Sequence, residues 1–241
     1  MLTFPNVIVA MITPFHQDGS VNYEAAVELA KKYADEGSAI LVGATTGEGA
    51  VMTEEEKLKL FKVTADALKG QTLVMGNVGT NNTAQTIAMI QKAKDTGIDA
   101  LLCIVPYYNK PNQDGCYAHF SAIAKATSLP LFIYNVPGRT GGSIEPETVC
   151  RLARDYDNII GLKDASGNLD FAGYVAANAP EGFHLYSGED NLTLPIIAVG
   201  GEGVITVAGH VIGKEMDSMI QAYKDGDVKK AASLHQKYLP S

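Results

Sequence analysis

Short apolar runs alternate with amphipathic stretches along the whole chain. The runs are VIVAMI (7–12), AILV (39–42), TLVM (72–75), ALLCI (100–104), LFIY (131–134), IIGLK (159–163), HLYS (184–187) and GVITV (203–207). They lack the polar alternation of a half-solvated sheet, as expected of parallel strands covered by helices. Between them, Ala26, Leu29, Ala30 and Tyr33 fall on one helical face, and Leu58, Phe61, Ala65 and Leu68 fall on another. The second helix opens with TEEE (53–56), a capping box in which Thr53 and Glu56 satisfy each other's backbone amides. Eight strand–helix units predict a closed (β/α)₈ barrel, a fold of typically about 250 residues. An open doubly wound sheet is the alternative from pattern alone. After the eighth strand, helical stretches are expected over 211–224 and 227–239.

Composition narrows the class. The chain has 241 residues, 46 % hydrophobic and 19 % charged, with a net charge of −8. That is a globular balance, and its sign argues against nucleic-acid or anionic-membrane partners. No apolar run approaches the roughly 20 residues needed to span a membrane. The opening MLTFPNVIVAMITPF has no basic start and is cut by Pro14, so it reads as a first strand and not as a signal peptide. Cys103, Cys116 and Cys150 form no CxxC pair and read as reduced thiols of a cytoplasmic protein. The five histidines are scattered, so no metal site is expected, and neither GxGxxG nor a P-loop occurs.

In a parallel barrel the active face lies at the C-terminal ends of the strands. The polar residues expected there are Thr13, Thr45, Thr46, Glu48, Asn77, Tyr107, Tyr108, Tyr134, Asn135, Arg139, Lys163, Asp164, Ser187, Glu189, Asp190 and Thr206. Lys163 ends a buried-looking strand. Desolvation there disfavours the ammonium, and a neutral amine attacks carbonyls to form a Schiff base. A snorkelling lysine, or one paired with Asp164, is the plainer reading of Lys163 alone. Schiff-base chemistry also needs proton transfers, which a nearby phenol can carry. Tyr134 ends the adjacent strand, and Tyr108 sits in VPYYNKP. The GATTGEG loop offers hydroxyls and backbone amides to a small carboxylate, and Arg139 of GRT offers a planar fork to a second one.

Taken in order, TTGE, PYYN, YNVPGRT, GLKDASGN and GVITV resemble the dihydrodipicolinate synthase family of class I, pyruvate-dependent aldolases, across essentially the whole chain. The resemblance implies condensation of pyruvate with L-aspartate 4-semialdehyde, the first committed step of lysine and diaminopimelate biosynthesis. No cofactor is implied beyond the covalent lysine–pyruvate imine. It also implies roles. Lys163 forms the imine, and Tyr134 relays protons at it. Thr45 links Tyr134 to Tyr108, which reaches in from the partner subunit of a homodimer; a tetramer is also open. Thr45 and Thr46 hold the pyruvate carboxylate, Arg139 holds the carboxylate of the aldehyde, and the backbone at Gly188 and Ile205 lines the pyruvate pocket.

Sister aldolases, such as N-acetylneuraminate lyase and the sugar-acid aldolases, share the lysine and the strand-5 tyrosine. TTGE, PYYNKP and YNVPGRT tilt the reading away from them. A truncated, non-catalytic barrel is the remaining alternative. Three departures from the family pattern stand out. EGSAILVGATTGE looks one residue short before the second strand, and Ala44, where a glycine is usual, is expected to crowd the threonine loop. The family continues through further C-terminal helices, whereas this sequence ends at YLPS; the expected division is a barrel over 1–224 and a helical remnant over 225–241. The positions matching the family's lysine feedback site are Gly49, Ala50, Glu54, Lys57, Asn81, Gln85 and Tyr107. There Lys57 is expected to repel an effector ammonium, and Gln85 replaces an acid.

Overall fold

The computed structural model describes residues 3–238. The elements run β1 (Val7–Ala10), α1 (Tyr23–Asp35), β2 (Ala39–Val42), α2 (Glu54–Leu68), β3 (Val74–Asn77), α3 (Thr83–Ala93), β4 (Ala100–Ile104), α4 (Gln113–Lys125), β5 (Leu131–Asn135), α5 (Pro137–Thr140), α6 (Pro146–Asp155), β6 (Ile159–Asp164), α7 (Leu169–Asn178), β7 (His184–Ser187), α8 (Thr193–Ala198), β8 (Gly203–Thr206), α9 (Gly209–Lys224) and α10 (Val228–Tyr238). The eight strands pair in parallel and in sequence order, and β8 returns to β1 to close the barrel. The doubly wound alternative is thereby excluded.

The uninterrupted apolar runs follow from this closure. Successive side chains point to opposite faces of a strand. Ile8, Ala10, Leu41, Leu102, Phe132, Tyr186 and Ile205 pack together in one buried cluster, the barrel interior. Val7, Val9, Ile40, Val42, Leu101, Cys103 and Ile133 pack in a second cluster with helix residues such as Leu60, Phe61, Phe120 and Val149. Both faces are dry, so neither tolerates polar alternation. Gly161 is the exception that packing dictates. A Cβ at that position would lie 2.4 Å from the Phe132 ring, which fills the lumen there.

Strand limits match the expected runs at β2, β4 and β7. Strand β3 is displaced to Val74–Asn77 from the expected 72–75. Leu73 accepts a hydrogen bond from Ile40 N–H but stays outside the ladder, and Asn77, expected beyond the strand, is its last residue. Strand β1 stops at Ala10 and β8 at Thr206, each short of the expected end. The capping box forms as expected: Thr53 accepts from Glu56 N–H, and the Glu56 carboxylate accepts from Thr53 N–H. A cap of this kind contributes about 1 kcal/mol. Ala44 is accommodated: it is not among the residues with a left-handed backbone, and its methyl packs in the lumen cluster with Met75 and Tyr134.

The two helices expected after the last strand are α9 and α10; residue 239, where the second was expected to end, lies outside the described residues. The β1–β8 seam is fastened at its C-terminal end. Ile12 N–H donates to His210 Nε2 at 3.0 Å, so the ring proton sits on Nδ1 and donates to Val207 O at 2.7 Å. Among the described residues no helix is long and apolar enough to cross a membrane.

Candidate active site

Lys163 is the penultimate residue of β6 and points into the lumen. It is 5 % exposed. Burial pulls its ammonium down to a pKa of about 8; the Asp190 and Glu189 carboxylates oppose the shift, and the Arg139 charge adds to it. A large fraction of the amine is therefore neutral in mildly alkaline solution. Tyr134 is its register partner across the β5–β6 ladder, and Lys163 Nζ lies 4.4 Å from the centre of the Tyr134 ring. Burial raises the Tyr134 phenol; the Arg139 charge and a polar contact with Thr45 offset part of that rise, while Glu189 adds to it. The phenol stays protonated at neutral pH, so it can donate a proton to a departing oxygen and then take one back.

The loop after β2 brings its hydroxyls to the same mouth. Thr45 is exposed and Thr46 half-buried. The loop is stiff beneath them: Thr13 Oγ donates to Gly47 O at 2.6 Å, Gly49 N–H donates to Ala44 O, and Glu48 N–H donates to Thr45 O. Gly49 has no room for a side chain, since a Cβ there would stand 1.8 Å from Gly43 O. On the far side of Lys163, Gly188 N–H donates to Asp164 O at 2.6 Å, and Ile205 is buried in the lumen wall. Arg139 lies on the one-turn helix α5, exposed at the rim, with its charge felt at both Tyr134 and Lys163.

Lys163, Tyr134, Thr45 and Arg139 thus converge. Tyr108 does not join them within one chain. Its residue is 87 % exposed, and its backbone is held left-handed at φ 71° by a hydrogen bond to Thr140 O. A left-handed non-glycine residue is strained and marks a loop shaped by more than local preference.

Three of the seven expected regulatory positions, Glu54, Lys57 and Gln85, line a cavity of about 260 Å³ with Val78, Thr80 and Met89. Lys57 is half-buried there with its pKa lowered by that burial, and Glu54 is taken up in an ion pair with Lys92. Asn81 donates to Tyr107 O nearby, Gly49 is buried and Ala50 exposed. A larger cavity of about 450 Å³ opens at the opposite end of the barrel, lined by Thr3, Gln71, Thr72 and Asp99. Its one carboxylate is engaged by Val74 N–H, and it offers no nucleophile.

Several residues that the sequence placed at this face without a role now have one. Asp190 accepts from Ala208 N–H through Oδ2, while its Oδ1 is buried without a partner. With Glu189 it keeps part of the charge on Lys163. Asn135 and Asp164, next along β5 and β6, are fully buried and joined to each other. The sequence signal for the last two was present: YN and KD each put a second polar residue at the end of an apolar run.

Comparison with known proteins agrees with this geometry. The model of the dihydrodipicolinate synthetase family matches residues 3–240. A 4-hydroxy-tetrahydrodipicolinate synthase of Listeria innocua is 50 % identical over 237 residues, 97 % of this chain and 80 % of the relative. That of Bacillus subtilis is 45 % identical over 240 residues, 99 % of this chain and 83 % of the relative. The DHDPS of Cyanidioschyzon merolae, solved with lysine bound, superposes with a TM-score of 0.96 at 44 % identity, covering 98 % of this chain and 81 % of that one. With the barrel, the buried lysine and the sequence match all in agreement, the chain belongs to the dihydrodipicolinate synthetase family.

Proposed function

We propose that Lys163 attacks the pyruvate carbonyl and carries the reaction as an imine. The chain is a lyase with the activity of 4-hydroxy-tetrahydrodipicolinate synthase, condensing pyruvate with L-aspartate 4-semialdehyde in lysine and diaminopimelate biosynthesis. The observation that carries the imine is the buried amine with a pKa of about 8 beside a protonated phenol. The neutral amine adds to the carbonyl, Tyr134 protonates the carbinolamine oxygen, and water leaves. Loss of a C3 proton gives the enamine, whose carbon attacks the aldehyde. The amine of the adduct then displaces Lys163 as the ring closes. Thr45 and Thr46 hold the pyruvate carboxylate against the stiff loop, Gly188 and Ile205 bound the pyruvate, and Arg139 takes the carboxylate of the aldehyde.

Tyr108 completes the relay through Thr45 from a second copy of the chain, so the active form is a homodimer or a larger assembly built from it. The positions Gly49, Ala50, Glu54, Lys57, Asn81, Gln85 and Tyr107 form a regulatory cleft beside that interface. The domain division is a barrel through residue 224, with α10 standing after it. The protein works in the cytoplasm. Borohydride reduction in the presence of pyruvate, followed by peptide mass mapping, tests the central step. Label on Lys163, lost in Lys163→Ala, is expected; label on another lysine contradicts it. A panel of aldehydes tests the second substrate.

A further inference from the structure

Directly behind the reacting pair lies a second register pair. Tyr134 faces Lys163 across the ladder, and the next residues, Asn135 and Asp164, face each other. Alternation sends their side chains out of the lumen, yet Asn135 is 0 % and Asp164 1 % exposed. Burying such groups is costly unless each is hydrogen-bonded. Here they are. Asn135 Nδ2 donates to Asp164 Oδ1 at 3.4 Å, Ser166 N–H donates to the same oxygen at 3.1 Å, and Ser166 Oγ donates to Oδ2 at 2.9 Å.

The connection runs on into the loop that bears Arg139. Ser143 Oγ lies 3.3 Å from Asn135 Oδ1 and 3.1 Å from Ile144 O, so its one proton is shared between a link from the far end of the 137–143 segment to β5 and the segment's own backbone. Inside that segment Thr140 Oγ donates to Gly142 O at 2.6 Å, and Thr140 O accepts from Tyr108 N–H at 3.1 Å. Gln113 Nε2 also donates to Ser143 O. One polar chain, buried at Asn135, Asp164 and Thr140 and exposed at Ser143, therefore links the strand of Lys163, the loop of Arg139 and the loop of Tyr108. Asn135 and Asp164, its two strand members, face away from the lumen.

We infer that Asn135, Asp164 and Ser143 are positioning residues, which set the place of Arg139 relative to Lys163 and so determine how well the aldehyde's carboxylate is held. An apolar pair of similar size would fill the space and would leave the 137–143 loop without its anchor. The inference rests on the proposed roles of Lys163 and Arg139. Pyruvate binding, made by the threonine loop and the lumen wall, stays outside its reach.

The test uses Ser143→Ala, which removes one hydroxyl at the periphery, together with Asn135→Leu, Asp164→Ala and the conservative Asp164→Asn. Each is assayed for borohydride trapping of pyruvate and for KM of the aldehyde. Loss of one or two such hydrogen bonds predicts a KM for the aldehyde about three- to tenfold higher in Ser143→Ala and Asn135→Leu. Trapping of pyruvate is expected to stay within about twofold of the parent, because that site keeps its contacts. Asp164→Asn, which keeps an acceptor toward Ser166, is expected to recover most of what Asp164→Ala loses. Should the larger substitutions fail to fold, Ser143→Ala alone decides. An unchanged aldehyde KM in Ser143→Ala, or equal losses for both substrates, overturns the inference. A parent protein that does not trap pyruvate on Lys163 would instead overturn the imine reading on which it rests.

Discussion

Lys163 and Tyr134 are register partners across the β5–β6 ladder, and the lysine nitrogen stands 4.4 Å from the centre of the phenol ring. The proposed nucleophile and proton donor are thus spaced by backbone hydrogen bonds between two buried strands. A site built on strands holds its geometry more tightly than one built on loops.

In the proposed mechanism the titration of Lys163 sets the pH dependence of imine formation. The rate of pyruvate trapping is expected to rise as pH increases through about 8, where the amine loses its proton. Arg139 lowers that pKa, so Arg139→Ala is expected to shift the rise to higher pH. Single-turnover trapping across a pH series measures both. A rise centred near the ordinary lysine value in the parent protein contradicts the burial argument.

The same group weighs on stability. Its native pKa of about 8 lies below the ordinary 10.5, so the native state binds fewer protons than the unfolded chain between those values. Stability therefore rises with pH across that window, and the cost of the buried charge is full below about pH 8. Lys163→Met, which keeps the volume, is expected to be more stable at pH 7 by on the order of 3 kcal/mol. The advantage should shrink toward pH 10.5. Denaturant midpoints at pH 7 and pH 10 decide; a variant less stable than the parent at pH 7 runs against it.

In the proposed site Arg139 serves one substrate and not the other. Arg139→Ala is expected to lose roughly ten- to a hundredfold in kcat/KM for the aldehyde, the worth of a charge-assisted hydrogen bond of about 1.5–3 kcal/mol. Trapping of pyruvate should survive. Equal damage to both would make Arg139 a residue of the fold.

Free L-lysine is expected to inhibit weakly or not at all. Lys57 puts a cation in the cleft, and the Glu54 carboxylate beside it is already held by Lys92. An inhibition midpoint below millimolar lysine contradicts this.

Tyr108 is exposed in one chain, and the proposed relay draws it from a second copy. Tyr108→Phe and Lys163→Ala are each expected to be nearly inactive. Mixed after unfolding and refolding together, they should regain up to about a quarter of the parent activity, because half of the dimers then hold one intact site. No recovery, or a fully active monomer in sedimentation, would remove Tyr108 from the relay.

Much of this was legible in the residues, and the limits have physical causes. AILV, ALLCI and HLYS read directly as β2, β4 and β7 because both faces of each strand are packed, so the run shows no polar alternation. TLVM misleads by two residues, since Leu73 is apolar yet lies outside the ladder, whereas polar Asn77 is inside it, donating to Gly43 O. Lys163 and Tyr134 could be placed at strand ends from sequence. Their spacing could not, because it depends on the register between strands far apart in the chain. Asn135 and Asp164 looked like two more rim residues; only alternation within a closed barrel shows that they face away from the lumen. The exposure of Tyr108 has no sequence signature, since its left-handed backbone is tied to Thr140, which lies outside VPYYNKP.

The fastening of Ile12 to His210 bears on how the protein is made. Strand β8 closes on β1, so the first strand to leave the ribosome waits for the last. Until residues 203–206 emerge, β1 and β7 are bare edges with unpaired backbone groups, and such edges recruit strands from other chains. Pairing across so long a stretch is also slow. The nascent chain is therefore most prone to aggregate in the interval before its final strand is synthesised, and substitutions at the β1–β8 seam should first appear as lost yield in the cell, ahead of any change in the finished enzyme.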